Sequence, residues 1–187
     1  MNGDNDLEFY VTADLNELER SGSGENINVL VQADRSEGYY AGDGDWTNTR
    51  RYYVTFDEDP NIVSSEVVED MGELDMGDPA VLSDFIFWAA ENYPAENTAL
   101  IIWNHGDGWS IKDPMQTNGP ASAISWDDES GNYLSIAEGD LDLALGAYVK
   151  EYGKLGVIGF DACNMATFEV GHSLKNYAEY MSASQAT

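Results

Sequence analysis

The sequence has 187 residues, of which 43% are hydrophobic, and this size suits one hydrophobic core better than two. Its 35 acidic residues against 8 basic ones give a formal net charge of −27, which excludes nucleic acid as an expected partner, because a phosphate backbone is bound by clusters of Lys and Arg. No stretch reaches the roughly 18 uninterrupted apolar residues of a membrane-spanning helix, so we expect no membrane span.

The acidic residues are spread along the chain and are not gathered in a tail. Self-repulsion of this size destabilises a compact state, and salt relieves it, because the Debye length falls to about 3 Å at 1 M. We therefore interpret the surface as that of a halophilic protein. The alternative is an acidic secreted protein that binds divalent cations or is simply very soluble.

Helical and strand patterns alternate along the sequence. In chain order we predict a helix over residues 7–18, strands over 27–33 and 51–56, a helix over 79–93, a strand over 99–103, a helix over 135–152, a strand within 155–163, a helix over 165–177 and a strand over 180–184. This alternation predicts an α/β sandwich with a mostly parallel sheet, in a single domain over residues 1–187.

Some boundaries have specific signals. Asp4 or Asp6 are candidate caps of the first helix, and the glycines of residues 21–24 would end it. Ser135 and Glu138 have the spacing of a capping box. Residues 51–56 alternate in polarity, which favours a strand near an edge of the sheet.

A histidine and the only cysteine follow two of the predicted buried strands. His105 comes after the run 99–103, and Cys163 ends the run 155–163. Catalytic groups of open α/β sheets gather beyond the carboxyl ends of parallel strands. We therefore predict a thiol nucleophile with a neighbouring base, and we expect the amino end of the following helix to favour the thiolate. The second histidine, His172, falls within a predicted helix and is interpreted as a surface or packing residue.

The segments Asn104-His105-Gly106-Asp107-Gly108-Trp109 and Phe160-Asp161-Ala162-Cys163-Asn164-Met165 resemble the two catalytic motifs of the clostripain-type cysteine peptidases. Residues 3–8, 50–53, 71–79 and 181–185 also resemble this family, in the same order. The resemblance implies a caspase-like three-layer α/β/α fold and a cysteine endopeptidase acting on proteins or peptides. The chain is expected to be truncated at both ends relative to the family.

The resemblance also implies roles for individual residues. Cys163 would be the nucleophile, His105 the general acid and base, and the N–H groups of Gly106 and Cys163 the oxyanion donors. Asp161 lies two residues before Cys163, so an extended strand would point both to one side. Cleavage after Arg or Lys, which the family favours, would then use Asp161 to bind the substrate's basic side chain. The alternative is that Asp161 orients the loop.

Self-processing, calcium and location are further implications of the resemblance. Lys112, the single basic residue of the loop that bears Pro114 and Pro120, is a candidate self-processing site. The chemistry requires no cofactor, but some family members depend on calcium. Candidate ligands occur in residues 4–6, 43–45 and 127–129, and none of these runs completes an EF-hand, so no metal ligand is assigned. A secreted or cell-surface location is expected, although no signal is visible in this sequence.

Two alternatives to a peptidase stay open. An inactive homologue could retain the fold and serve as a binding or adhesion module. A different thiol enzyme, such as an amidase or a transpeptidase, would share the first half of the reaction. The sequence does not determine the oligomeric state.

Overall fold

The helices and strands of the chain are seen in a computed structural model that describes residues 1–109 and 123–186. Within these residues the helices are α1 (Glu8–Glu19), α2 (Pro79–Asn92), α3 (Asp140–Tyr152) and α4 (Phe168–Leu174). The strands are β1 (Asn2–Gly3), β2 (Leu30–Arg35), β3 (Thr49–Tyr53), β4 (Glu66–Gly72), β5 (Ala99–Trp103), β6 (Ala123–Asp127), β7 (Asn132–Ser135), β8 (Leu155–Asp161) and β9 (Ala178–Ser182). The mixed α/β class predicted from the sequence is confirmed.

The described residues form two compact units. The amino-terminal unit consists of Met1–Asp75 and Asp127–Ser130, and the carboxy-terminal unit consists of Met76–Trp126 and Gly131–Thr187. Each unit has its own sheet of three or four strands.

The sheet of the amino-terminal unit has the order β1-β2-β3-β4. β1 runs parallel to β2, whereas β2 with β3 and β3 with β4 are antiparallel. Strand β3 therefore lies next to the edge strand β4, which agrees with the expectation of a strand near an edge of the sheet. Strand β4 was not predicted from the sequence, because its sequence is acidic. In the structure β3 pairs basic residues with the acidic residues of β4, and Arg51 Nη1 lies 2.9 Å from Glu69 Oε2.

Helix α1 packs through the fully buried Val11 and Leu15. Its start differs from the prediction, because Leu7 occupies the cap position without a side-chain hydrogen bond. Asn5 Oδ1 instead accepts a hydrogen bond from the N–H of Leu7 at 2.9 Å. The helix ends as expected near Gly22, whose φ of +58° is the left-handed conformation that favours glycine.

The carboxy-terminal unit is built on the parallel sheet β5-β8-β9. Its core contains residues of β5 and β8 together with one face of each of helices α2, α3 and α4, and the strand residues in it are Leu100, Ile102, Leu155, Ile158 and Phe160. Asp78 caps α2 by accepting a hydrogen bond from the N–H of Ala80 at 2.8 Å, and Pro79 occupies the first turn, where a missing N–H costs nothing. The mostly parallel sheet that the sequence predicts is found in this unit.

Two helices of this unit begin later than predicted. Residues 132–135 pair with β6 as strand β7, so α3 starts at Asp140 and not at Ser135. Ser135 Oγ still accepts a hydrogen bond from the N–H of Glu138 at 3.2 Å, as a capping box would require, but this bond precedes the helix. Helix α4 starts at Phe168, three residues after the predicted start, with Thr167 as its cap.

Candidate active site

The predicted nucleophile and base follow neighbouring parallel strands. The register of β5 and β8 pairs Trp103 with Asp161, and the N–H of Asn104 donates to the carbonyl oxygen of Asp161 at 3.2 Å. His105 and Cys163 each come two residues after this pair, at the carboxyl edge of the sheet. Both side chains are partly exposed, so solvent reaches this edge.

Two glycines let the loop after β5 approach the loop that carries Cys163. A Cβ on Gly106 would lie 2.5 Å from the carbonyl oxygen of Cys163 and 2.9 Å from Met165 Sδ. Gly108 has a φ of +65°, and a Cβ there would lie 2.5 Å from the carbonyl oxygen of Asn164. Any larger residue at either position would push the two loops apart. The structure thus brings Gly106 and Cys163 together through their backbones.

Asn104 fixes the start of the histidine loop. Its side chain is 3% exposed, its Oδ1 accepts from the N–H of Trp126 at 3.0 Å, and its Nδ2 donates to the carbonyl oxygen of Trp126 at 3.4 Å. The N–H of Asp107 donates to the carbonyl oxygen of Ala123 at 3.1 Å. The role of Asn104 was not predicted from the sequence, because its partner Trp126 belongs to the unpredicted strand β6.

The loop from Cys163 to Thr167 is anchored without help from a helix. Met165 is fully buried, and the N–H of Ala166 donates to the carbonyl oxygen of Ser184 at 2.8 Å. Asn164 has a φ of +60°, a conformation that Asn adopts more readily than most residues. The expectation that a helix begins beside Cys163 and favours its thiolate is wrong, because α4 starts five residues later and has seven residues.

Three further residues were singled out in the sequence, namely Asp161, His172 and Lys112. Asp161 is exposed and is the last residue of β8. His172 is exposed on α4, where its Nε2 lies 2.9 Å from Lys175 Nζ, in agreement with the interpretation of a surface residue. Lys112 lies outside the described residues.

A separate acidic cluster lies in the amino-terminal unit. Asp4, Asp34, Glu73 and Asp127 each place one carboxylate oxygen within 4.8 Å of the others. Burial, and then neighbouring carboxylates, raise the pKa of Asp34 to about 8. Burial is also the largest cause that raises the pKa of Asp4 to about 6 and that of Glu73 to about 7. These are groups whose charged forms the fold disfavours.

Half of this cluster lies in acidic runs that were candidate calcium ligands in the sequence. Asp4 and Asp127 belong to two of the three acidic runs considered for calcium, whereas Asp43 of the third run accepts a hydrogen bond from the N–H of Val63 at 3.0 Å. Asp34 and Glu73 were missed. The available signal was the position of Asp34, a carboxylate that directly follows the predicted strand 27–33.

Comparison with known proteins relates this chain to the clostripain family, in agreement with the resemblance noted in the sequence. The model of the clostripain family matches residues 1–187. Clostripain of Hathewaya histolytica is 28% identical over 182 residues, which is 92% of this chain and 34% of that protein. The chain thus spans about a third of the length of this curated relative.

Solved structures are also similar. A secreted C11 cysteine protease from Bacteroides thetaiotaomicron, in complex with an irreversible peptide inhibitor, is 27% identical with a TM-score of 0.72, over 97% of this chain and 46% of that one. An inactive zymogen C11 protease from Parabacteroides distasonis is 23% identical with a TM-score of 0.66, over 98% of this chain and 46% of that one, a likeness of fold alone. In the described part of the chain, every helix is too short or too polar to cross a membrane.

Proposed function

The chain belongs to the clostripain family, and from this premise we propose that it forms part of a single cysteine endopeptidase domain with Cys163 as nucleophile and His105 as general acid and base. The observation that carries the proposal is the register of β5 and β8, which pairs Trp103 with Asp161. His105 and Cys163 follow this pair at equal distance along the chain, which supports a role for both residues at one edge of the sheet.

The proposed reaction uses an acyl-enzyme. His105 takes the proton of the Cys163 thiol, and the thiolate Sγ attacks the carbonyl carbon of the scissile bond. His105 then protonates the amine as the C–N bond breaks, which leaves a thioester on Cys163. A water molecule that gives a proton to His105 attacks the thioester, releases the carboxylic acid product and restores the thiol.

The oxyanion formed in each half of this reaction would accept hydrogen bonds from the N–H groups of Gly106 and Cys163. Support comes from the close approach of these two residues, because a Cβ on Gly106 would lie 2.5 Å from the carbonyl oxygen of Cys163. In addition, the N–H that pairs with Ala123 belongs to Asp107, so this pairing does not use the N–H of Gly106.

Specificity for Arg or Lys before the scissile bond is part of the proposal. Asp161 supports it, because its carboxylate is exposed at the same edge of the sheet as His105 and Cys163. A substrate guanidinium would form a charge-assisted, bidentate hydrogen bond with such a carboxylate. The same preference would let the enzyme cleave itself after Lys112.

The proposal also includes the cofactor requirement, the substrates and the location of the enzyme. Cysteine peptidases need no cofactor for the chemistry, so any calcium would have a structural role and not a chemical one. The substrates would be proteins or peptides. A secreted or cell-surface location is supported by the secreted protease from Bacteroides thetaiotaomicron.

The test uses the full-length gene product at low and at multimolar salt, treated with an Arg-directed acyloxymethyl ketone. We expect mass spectrometry to find the adduct on Cys163, and we expect labelling to fall about 100-fold or more in His105→Ala. The matched control is His172→Ala, which removes the other histidine from the exposed face of α4 and keeps full labelling. Cleavage after Lys112 should appear in the wild type and be absent in Cys163→Ala.

A different result would favour a different function. If folded protein stays unlabelled while a general thiol reagent reaches Cys163, the basic specificity fails and an inactive binding module becomes the better explanation. If labelling occurs but the products carry a new amide bond, the enzyme is a transpeptidase.

A further inference from the structure

Strand β6 lies beside the loop that carries the proposed base. Gly106 and Ile124 form an antiparallel bridge, and the N–H of Asp107 donates to the carbonyl oxygen of Ala123 at 3.1 Å. In an antiparallel pair, each step forward on one segment is matched by a step back on the other. Both contacts therefore give the same alignment of the histidine loop with β6.

The same alignment continues on the other side of the base. Asn104 pairs with Trp126 through its side chain, whose Oδ1 accepts from the N–H of Trp126 at 3.0 Å and whose Nδ2 donates to the carbonyl oxygen at 3.4 Å. This pair and the two contacts before it all place Ser125 opposite His105. Ser125 is therefore the residue of β6 that occupies the register position of the base.

Ser125 has an unusual backbone conformation for its place in the fold. Its φ is +60°, in the left-handed region, although it is the middle residue of β6. A Cβ makes this conformation unfavourable. Within strands, a left-handed residue is typical of β-bulges, which bend the strand and are over-represented next to active sites. The bend of β6 thus falls opposite His105.

A buried hydrogen bond holds this conformation. Ser125 is 4% exposed, and its Oγ donates to the carbonyl oxygen of Met76 at 2.9 Å. The next residue is Gly77, where a Cβ would lie 2.4 Å from the backbone nitrogen of Tyr133 in β7. Because the segment that provides the acceptor is packed this closely against β7, the hydroxyl group of Ser125 has a fixed partner.

The histidine loop changes its neighbour at the same point. The N–H of Asn104 donates to the carbonyl oxygen of Asp161 in β8 at 3.2 Å, whereas the N–H of Asp107 donates to Ala123 in β6. The backbone of the loop therefore passes from β8 to β6 across His105. The bend at Ser125 lies where this passage occurs.

We propose that Ser125 is a positioning residue for His105. Its left-handed backbone, held by the hydrogen bond to Met76, bends β6 opposite the base and sets the place from which His105 transfers protons. Ser125 takes no part in the chemistry and acts through the backbone of the histidine loop. This inference rests on the function proposed above, but the order of the loop can be measured independently of any reaction.

The test separates the backbone conformation of Ser125 from its hydroxyl group. Ser125→Gly removes the hydroxyl but adopts a positive φ freely, whereas the branched side chain of Ser125→Val opposes it. We use full-length protein and a peptide with Arg before the scissile bond. We expect kcat to fall about 100-fold in Ser125→Val and to stay within about 3-fold of the wild type in Ser125→Gly, with KM little changed in both.

Two matched controls account for the strain and for the lost hydrogen bond. Asp45 has a φ of +52° at an exposed position of the amino-terminal unit, so Asp45→Val opposes a positive φ outside the unit that carries the site. Ser173 Oγ donates to the carbonyl oxygen of Val170 at 2.8 Å in α4, so Ser173→Ala removes a comparable bond. Both controls should keep kcat within about 2-fold of the wild type, even where the Tm falls.

Amide hydrogen exchange measures the order of the histidine loop without any reaction. The N–H of Asp107, which donates to Ala123, should exchange about 10-fold faster or more in Ser125→Val and at the wild-type rate in Ser125→Gly. If the wild type is no peptidase, the proposed function fails, but this measurement still decides whether Ser125 orders the loop.

The proposal is overturned if Ser125→Val lowers the Tm but keeps the kcat and the Asp107 exchange rate of the wild type, because Ser125 would then only stabilise the fold. It is also overturned if Ser125→Gly loses as much activity as Ser125→Val, since the backbone conformation would not be the cause. Should Ser125→Val fail to fold, Ser125→Ala takes its place, with an expected loss in kcat of about 10-fold.

Discussion

At the scale of single residues, position and not residue type separates the two histidines. His105 follows a buried parallel strand and enters a loop whose backbone meets the cysteine loop, whereas His172 lies exposed on α4. Asn104 makes this difference possible, because its side chain ties the beginning of the histidine loop to the backbone of Trp126. The chemistry proposed for His105 thus depends on a neighbour that does not react.

Asp161 gives a prediction at this scale. Replacing it with Asn removes the charge at the end of β8 and keeps the shape, so we expect kcat/KM for substrates with Arg or Lys before the scissile bond to fall by about 10-fold to 100-fold. The measurement compares peptides that have Arg, Lys or an uncharged residue at that position, in full-length protein. Substrates with the uncharged residue should be hydrolysed with little change.

The control for this prediction is Glu169→Gln, which removes an exposed charge from α4 and should leave the preference unchanged. If Asp161→Asn instead slows all three peptides equally, Asp161 orients the loop and does not bind the basic side chain. Both alternatives that the sequence left open are thereby distinguished.

At the scale of elements, the fold of the amino-terminal unit joins α1 to β2 through a buried ion pair. Glu8 and Arg35 are both 0% exposed, and Arg35 Nε donates to Glu8 Oε1 at 2.9 Å. Glu8 Oε2 accepts from the N–H of Tyr40, and Arg35 Nη2 donates to the carbonyl oxygen of Tyr40, both at 2.6 Å. The pair therefore also fixes the loop after β2.

We predict that Glu8→Gln destabilises this unit by about 3–5 kcal/mol, because it leaves the buried guanidinium without its counter-charge. Urea unfolding followed by Trp fluorescence measures the change in the full-length protein. Glu17→Gln is the matched control, since Glu17 is an exposed residue of the same helix and should cost less than about 0.5 kcal/mol. Equal effects of the two substitutions would contradict the assigned role of the pair.

At the scale of the whole molecule, the net charge of −27 dominates the electrostatics of the protein. Repulsion among surface carboxylates opposes folding, and screening by salt reduces it. Ion pairs such as Arg35 with Glu8 and Arg51 with Glu69 neutralise only a few of the acidic groups in the described residues, so the general repulsion persists.

We therefore predict that the Tm of the full-length protein rises steadily between 0.1 M and 2 M KCl. The scan is made with a chelator present, so that divalent cations do not contribute. An uncharged osmolyte at the same osmolality is the control and should raise the Tm less. A Tm that is flat or falls with KCl would show that the acidic surface serves solubility and is no halophilic adaptation.

The sequence by itself determined the features that depend on local pattern. Runs of apolar residues located β5 and β8, and the chemical identity of the residues after them pointed to His105, Cys163 and the correct family. Helices α1 and α2 were predicted to within one residue at each end. Local periodicity suffices there, because each element buries one face against a core.

Only the tertiary structure decided what depends on pairing between separate segments of the chain. The predicted third helix begins at residue 135, but Ser135 is the last residue of strand β7, which pairs with β6, and α3 begins only at Asp140. Likewise Asp34 and Glu73 join Asp4 and Asp127 only because the order and direction of strands bring their ends to one edge. Such contacts leave no period in the sequence, since each depends on a partner in another segment and not on the residue's own neighbours.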